Sequence, residues 1–185
     1  MAVTREKACT IEDIYALPDG QRAELIDGRM YMMAPPNTDH QRISYSLGRR
    51  ISDYIDQKNR ECEVFLAPFA VFLDKDEHNY VEPDISVICD KSKLDENGCN
   101  GAPDWIIAVT SPSNPQNDYG IKLFKYRTAG VREYWIVNPR KKTVMVYDFE
   151  NEEKSNQYDF EDTIFSCIYK DLSITIADLL PNDKR

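Results

Sequence analysis

The chain is poor in the residues that build most metal and disulfide scaffolds. It has two histidines and five cysteines among 185 residues, and the cysteines are dispersed with no CxxC pair. An odd, scattered set argues against a disulfide framework, and the lack of CxxC or clustered histidine argues against structural zinc. Five reduced thiols are the expectation. No apolar run approaches the roughly 18 residues that a membrane span needs. Met1 to Lys7 carries positive charge with no apolar segment behind it, so no secretory leader is expected. There is no GxSxG, and neither His40 nor His78 sits by sequence beside a nucleophile, which removes the ordinary Ser and Cys hydrolases. No repeat, low-complexity tract or linker divides the chain. A cytoplasmic protein of one domain, residues 1–185, is the simplest reading.

Positive charge is also short. Lys and Arg number 23 against 32 Asp and Glu, a net charge of −9. Phosphate contacts need Lys and Arg, so a general DNA-coating role is disfavoured. A local basic face remains open, with Arg42, Arg49 and Arg50 on one predicted helix and Lys122, Lys125, Arg127 and Arg132 further on.

What is present is a mixture of strand and helix signals. Thr10-Ile11-Glu12-Asp13 resembles a capping box for a short helix that stops before Pro18. Asp27-Gly28 between Ala23–Ile26 and Arg29–Met33 signals a hairpin. Thr38 can cap a long helix whose stripe is Ile43, Leu47, Ile51 and Ile55. Two β-rich segments follow, Val64 to Leu73 and Val81 to Cys89, then a polar loop from Lys91 to Gly101. Asp104 to Thr110 is an almost wholly apolar strand, broken by Ser111-Pro112-Ser113-Asn114-Pro115. A helix is expected from about Asp118 to Ala129, stopped by Gly130. The strands Glu133–Val137 and Thr143–Tyr147 form an aromatic-rich hairpin suited to a core, with weaker strands near Tyr158, Ile164–Ile168 and Leu172–Ile176. The class is α/β (α+β), a mixed central sheet flanked by helices.

Asp84, at the start of a β-forming run, is either an exposed residue or a hard oxygen ligand held still by a strand. Asp118 and Lys122, four apart on a helix, suit an ordinary surface ion pair. If that helix packs beside a strand end, Lys122 instead stabilises charge on a phosphoryl group.

The order and spacing of several blocks identify a resemblance. They are Glu24-Leu25-Ile26-Asp27-Gly28, His40, Glu82-Pro83-Asp84-Ile85-Ser86-Val87, Pro103-Asp104-Trp105-Ile106-Ile107, Ser111-Pro112-Ser113-Asn114, Lys122-Leu123, Tyr126 and Ala129–Val137. From Thr10 to Leu180 the chain resembles the Uma-type family, restriction-endonuclease-like proteins of the PD-(D/E)xK nuclease superfamily. The resemblance implies a Mg²⁺-dependent endonuclease acting on DNA, with Mn²⁺ as a substitute metal and a homodimer for double-strand cuts. It makes Asp84 the motif aspartate, Lys122 the relocated motif lysine, Glu24 an additional acid and His40 a nearby polar residue. Thr110 holds the ordinary lysine position, and Asp104 is a decoy at the wrong end of its strand. The metal would take Asp84 and the backbone carbonyl of Val109.

One position departs from the pattern. The family implies Glu where this chain has Ala108. Asp104 cannot substitute, being more than about 10 Å back along the strand at roughly 3.3 Å per residue. Asp118 approaches only if the fold allows it. Two readings follow: an endonuclease inactive or weakened by Ala108, or a non-catalytic DNA-binding or protein-interaction module on a nuclease fold.

Overall fold

Local turn chemistry sets up the first elements. Thr10 and Asp13 cap helix α1 (Ile11–Tyr15) reciprocally, as their spacing predicts. Strands β1 (Ala23–Ile26) and β2 (Arg29–Met32) pair antiparallel about Asp27-Gly28, both at positive φ, the backbone that a tight two-residue hairpin requires. The computed structural model describes residues 8–111, 118–151 and 154–180. The predicted break at Pro112–Pro115 lies outside them.

Helix α2 (Thr38–Gln57) is the long helix of the stripe. Its N-cap is Asn37, whose side chain accepts from the His40 N–H, while Thr38 is the first helical residue. Ile43, Leu47, Ile51, Tyr54 and Ile55 are buried. Gly48 lets the helix come close to the sheet, because a Cβ there would lie 2.6 Å from Leu66 Cδ2.

The central sheet uses β3 (Glu63–Leu66), β5 (Ile85–Ile88), β8 (Trp105–Val109), β9 (Glu133–Asn138), β10 (Thr143–Asp148) and β11 (Lys154–Asp159). Its order is β11-β10-β9-β8-β5-β3, with β8 and β9 parallel and the other neighbours antiparallel. Helix α3 (Ile121–Ala129) lies between the parallel pair in sequence and ends at Gly130, in the left-handed region. Side chains alternate across the sheet. Trp105, Ile107 and Val109 share one core with α2, whereas Ile106 and Ala108 share the other with Tyr126 of α3. Covering both faces is why β5, β8 and β9 read as continuous apolar runs. The aromatic hairpin is core, since Tyr134 and Trp135 are fully buried.

Several expectations change. The segment Val64–Leu73 divides into β3 and the short β4 (Val71–Phe72), because Pro68 has no N–H to continue a ladder. Lys91–Gly101 is structured: Asp90 caps a 3₁₀ turn at Lys91–Lys93, and β6 (Leu94–Asp95) and β7 (Gly98–Asn100) form a hairpin. The Asp95 carboxylate accepts from the N–H groups of Asn97 and Gly98 and so fixes that turn. The tail holds β12 (Ile164–Phe165) and β13 (Ser173–Ile174), followed by a short helix, α4 (Ile176–Leu179), that propensity did not indicate.

Cys62 and Cys89 form a disulfide, which overturns the expectation of five reduced thiols. The residues flank the paired ends of β3 and β5, where register brings together cysteines far apart in sequence. No described helix is long and apolar enough to cross a membrane.

Candidate active site

The β5–β8 register decides what faces what. Ile85 pairs with Ile107 and Ser86 with Ile106, so one step further Asp84 stands opposite Ala108. Directly opposed residues share a face, so both project toward the α3 side. On α3, Lys122 and Tyr126 are one turn apart and turn toward the same space. Glu24 enters from β1 and Asp118 from the residues preceding α3. Together with His40 from the first turn of α2, Asp84, Ala108, Lys122, Glu24 and Asp118 line a cavity of ≈ 280 Å³, while Tyr126 is fully buried.

Each charged group in the cavity has a partner. Asp84 Oδ2 accepts from the Val109 N–H at 2.7 Å, and its Oδ1 lies 3.2 Å from His40 Nε2. Lys122 Nζ bridges Glu24 Oε2 at 2.6 Å and Asp118 Oδ1 at 3.3 Å. Glu24 Oε1 also accepts from the Glu82 N–H at 3.2 Å. Arg22 donates to Glu82 through Nε at 2.8 Å, and Tyr80 donates to the other Glu82 oxygen at 2.7 Å.

Titration follows from these pairings. Burial alone would lower the His40 pKa, but the hydrogen bond and charge of Asp84, aided by the Val109 backbone, raise it overall. Burial likewise opposes charge on Lys122, and Glu24 and Asp118 outweigh it, so the ammonium is held well above its ordinary value. The Lys122 ammonium is thus held in its charged form by its two carboxylate partners. Burial raises Asp118, with Lys122 pulling against it.

Of the residues nominated from sequence, Asp84, Ala108, Val109, Lys122, Glu24 and His40 all line this one cavity. Asp118 and Lys122 are not the surface pair that their spacing suggested; Asp118 is buried and the Lys122 side chain is 13% exposed. Asp118, which the sequence left as an acid that approaches only if the fold allows it, lines the cavity beside Lys122. Asp104 is at the far end of β8, where it accepts from the Cys89 N–H and pairs with Arg132. Its role is structural.

The donor set does not fit a divalent cation. Asp84 uses both oxygens, the Val109 backbone favours His40 in its charged form, and Glu24 and Asp118 are held by Lys122. Ala108 supplies no donor. Among the described residues, no three His, Cys, Asp or Glu side chains converge as a metal site. The cavity instead balances its carboxylates with internal cations.

Comparison with known proteins gives the family and the fold. A family model, Uma2, described as "Putative restriction endonuclease", matches residues 11–177. The Synechocystis protein sll1609 is 26% identical over 121 residues, 64% of this chain and 67% of that protein. A second Synechocystis protein, slr1290, is 25% identical over 128 residues, 69% of this chain and 66% of its own length. A crystal structure from Anabaena variabilis, described as "a putative nuclease belonging to DUF820", superposes with a TM-score of 0.73 at 23% identity. That match covers 92% of this chain and 96% of the other, so the two share a fold. The chain thus belongs to the Uma2 family of restriction-endonuclease-like proteins.

Proposed function

We propose that this chain carries the site of a Mg²⁺-dependent DNA endonuclease in a form that cleaves orders of magnitude more slowly than its Ala108→Glu counterpart. The observation that carries the reading is the register: Ala108 lies opposite Asp84, where a second acid would share one cation with it. In the Ala108→Glu chain, Asp84 and the added carboxylate would hold Mg²⁺ or Mn²⁺, which would supply phosphate polarisation and a more acidic water. In this chain Asp84 is the one carboxylate of that opposed pair and both its oxygens are engaged, so the site has little of the charge that holds such an ion. The residues that remain can still act on a substrate. Lys122 keeps its charge and faces the cavity, where it opposes negative charge on a phosphodiester. Val109 and His40 hold Asp84 in one orientation. Double-strand cleavage would use two copies, one site per strand, and sedimentation of the DNA complex tests that assembly.

A second reading, a non-catalytic DNA-binding or protein-interaction module, is favoured by the complete internal pairing of the cavity's carboxylates, which disfavours a bound cation. Plasmid nicking separates the two. This chain and Ala108→Glu are compared with Mg²⁺ or Mn²⁺, and cleavage by the substituted chain alone supports the nuclease reading. A folded Ala108→Glu chain that leaves the plasmid intact removes it.

A further inference from the structure

The cavity mouth is apolar where a duplex-binding surface would be cationic. Tyr45, Met32 and Leu66 line it with 59%, 57% and 39% of their surface exposed. Tyr45 is on the first half of α2 and lines the same cavity as His40. An aromatic face therefore borders the group that holds Asp84. Exposed aromatic and thioether surface beside a polar pocket is a platform for a flat, neutral ring.

The cations tell the complementary story. The three that line the cavity are committed: Arg22 to Glu82, His40 to Asp84 and Lys122 to Glu24 and Asp118. Two of the three arginines foreseen on α2 are compensated too, Arg42 by Asp39 at 3.2 Å and Arg49 by Asp53 at 3.7 Å, while Arg50 donates to the Ser173 carbonyl at 3.4 Å. Lys125 pairs with Asp27, and Arg132 with Asp104 and Glu150. Duplex affinity comes mainly from phosphates neutralised by Lys and Arg, so a phosphate contact at any of these paired cations competes with an existing carboxylate. Stacking has no such competitor. The ≈ 280 Å³ cavity is near the small end of ligand pockets, roughly 300–1,000 Å³, and admits one nucleotide unit at a time.

Building on the nuclease reading, we propose that the substrate engaged here is single-stranded nucleic acid, with an unpaired base stacked on Tyr45 and its phosphodiester directed to the Asp84–Lys122 floor. Tyr45 then sets strand selectivity through the shape of what it stacks. Met32 and Leu66 exclude water from the edge of the base.

The test is fluorescence anisotropy of this chain, in EDTA, with a labelled oligothymidylate and with the same strand annealed to oligoadenylate. The single strand should bind about ten-fold more tightly than the duplex. Tyr45→Ala should weaken single-strand binding by roughly five-fold or more, and Tyr45→Phe should retain it, since the ring and not the hydroxyl stacks. With one or two phosphate contacts, affinity should fall less than about ten-fold between 50 and 200 mM salt, against roughly a thousand-fold or more for a true duplex binder. Duplex binding as tight as single-strand binding, indifference to Tyr45→Ala, or no binding of either probe overturns the proposal. A concentration-dependent mass increase lost in Tyr45→Ala, without oligonucleotide binding, would assign the patch to a second copy and overturn it as well. Nicking of duplex by Ala108→Glu without single-strand preference sinks this proposal alone. Single-strand binding with no cleavage by Ala108→Glu sinks the nuclease reading alone.

Discussion

Asp84 and Ala108 face each other across the antiparallel β5–β8 pair, one step beyond the Ile85–Ile107 pairing, at the end of the strands that opens into the cavity. A methyl group there leaves Asp84 to His40 and the Val109 N–H. A carboxylate would repel it. At about 5.5 Å and an effective dielectric near 20, that repulsion is roughly 3 kcal/mol. Ala108→Glu is therefore expected to melt at lower temperature in EDTA and to recover with millimolar Mg²⁺ or Mn²⁺. The parent chain should melt alike in both, as calorimetry or fluorescence melting would show.

Lys122 holds two buried carboxylates. Lys122→Met leaves Glu24 and Asp118 without their cation and should cost about 3–5 kcal/mol in urea unfolding. Adding Glu24→Gln to it should recover part of the loss. Additive penalties in the double-mutant cycle would show that the bridge does not couple these residues.

The His40–Asp84 contact makes stability depend on pH. Folding raises the His40 pKa above its ordinary 6.5. A group raised on folding contributes fully below its unfolded value, and the contribution fades as pH climbs through the folded value. In EDTA, the stability difference between the parent and His40→Gln should be largest below about pH 6.5 and shrink above the raised value. A difference that grows toward alkaline pH would contradict the assignment.

Glu133 is a buried anchor that sequence reading did not single out. Its Oε2 accepts from Ser166 Oγ and from the Cys167 and Ile168 N–H groups, and its Oε1 accepts from Trp135 Nε1. Gln cannot accept at both ends, so Glu133→Gln should cost about 2–3 kcal/mol. Hydrogen exchange should show the 166–168 backbone opening first.

The Cys62–Cys89 bridge spans 27 residues. Non-reducing peptide mapping should find the pair joined, with Cys9, Cys99 and Cys167 free to alkylate after denaturation. Cross-linking a loop of that length is worth about 3–4 kcal/mol, so reduction should lower the midpoint of unfolding.

The sequence alone settled what depends on near neighbours. Asp27-Gly28 specified its hairpin because both residues tolerate positive φ, and the four-residue apolar stripe specified α2 because one helix face must be buried. The run Trp105–Val109 announced a strand covered on both sides, and family resemblance ordered Asp84, position 108 and Lys122. Tertiary structure decided what depends on register and approach. Cys62 meets Cys89 only because β3 pairs with β5, and Lys91–Gly101 folds through side-chain turns that have no periodicity to read. Above all, Asp118 lies too far along the chain for spacing to seat it beside Asp84. Helical spacing sets Asp118 beside Lys122, the fold brings Glu24 of β1 to the same ammonium, and desolvation there makes the pairing of Glu24, Asp118 and Lys122 a requirement.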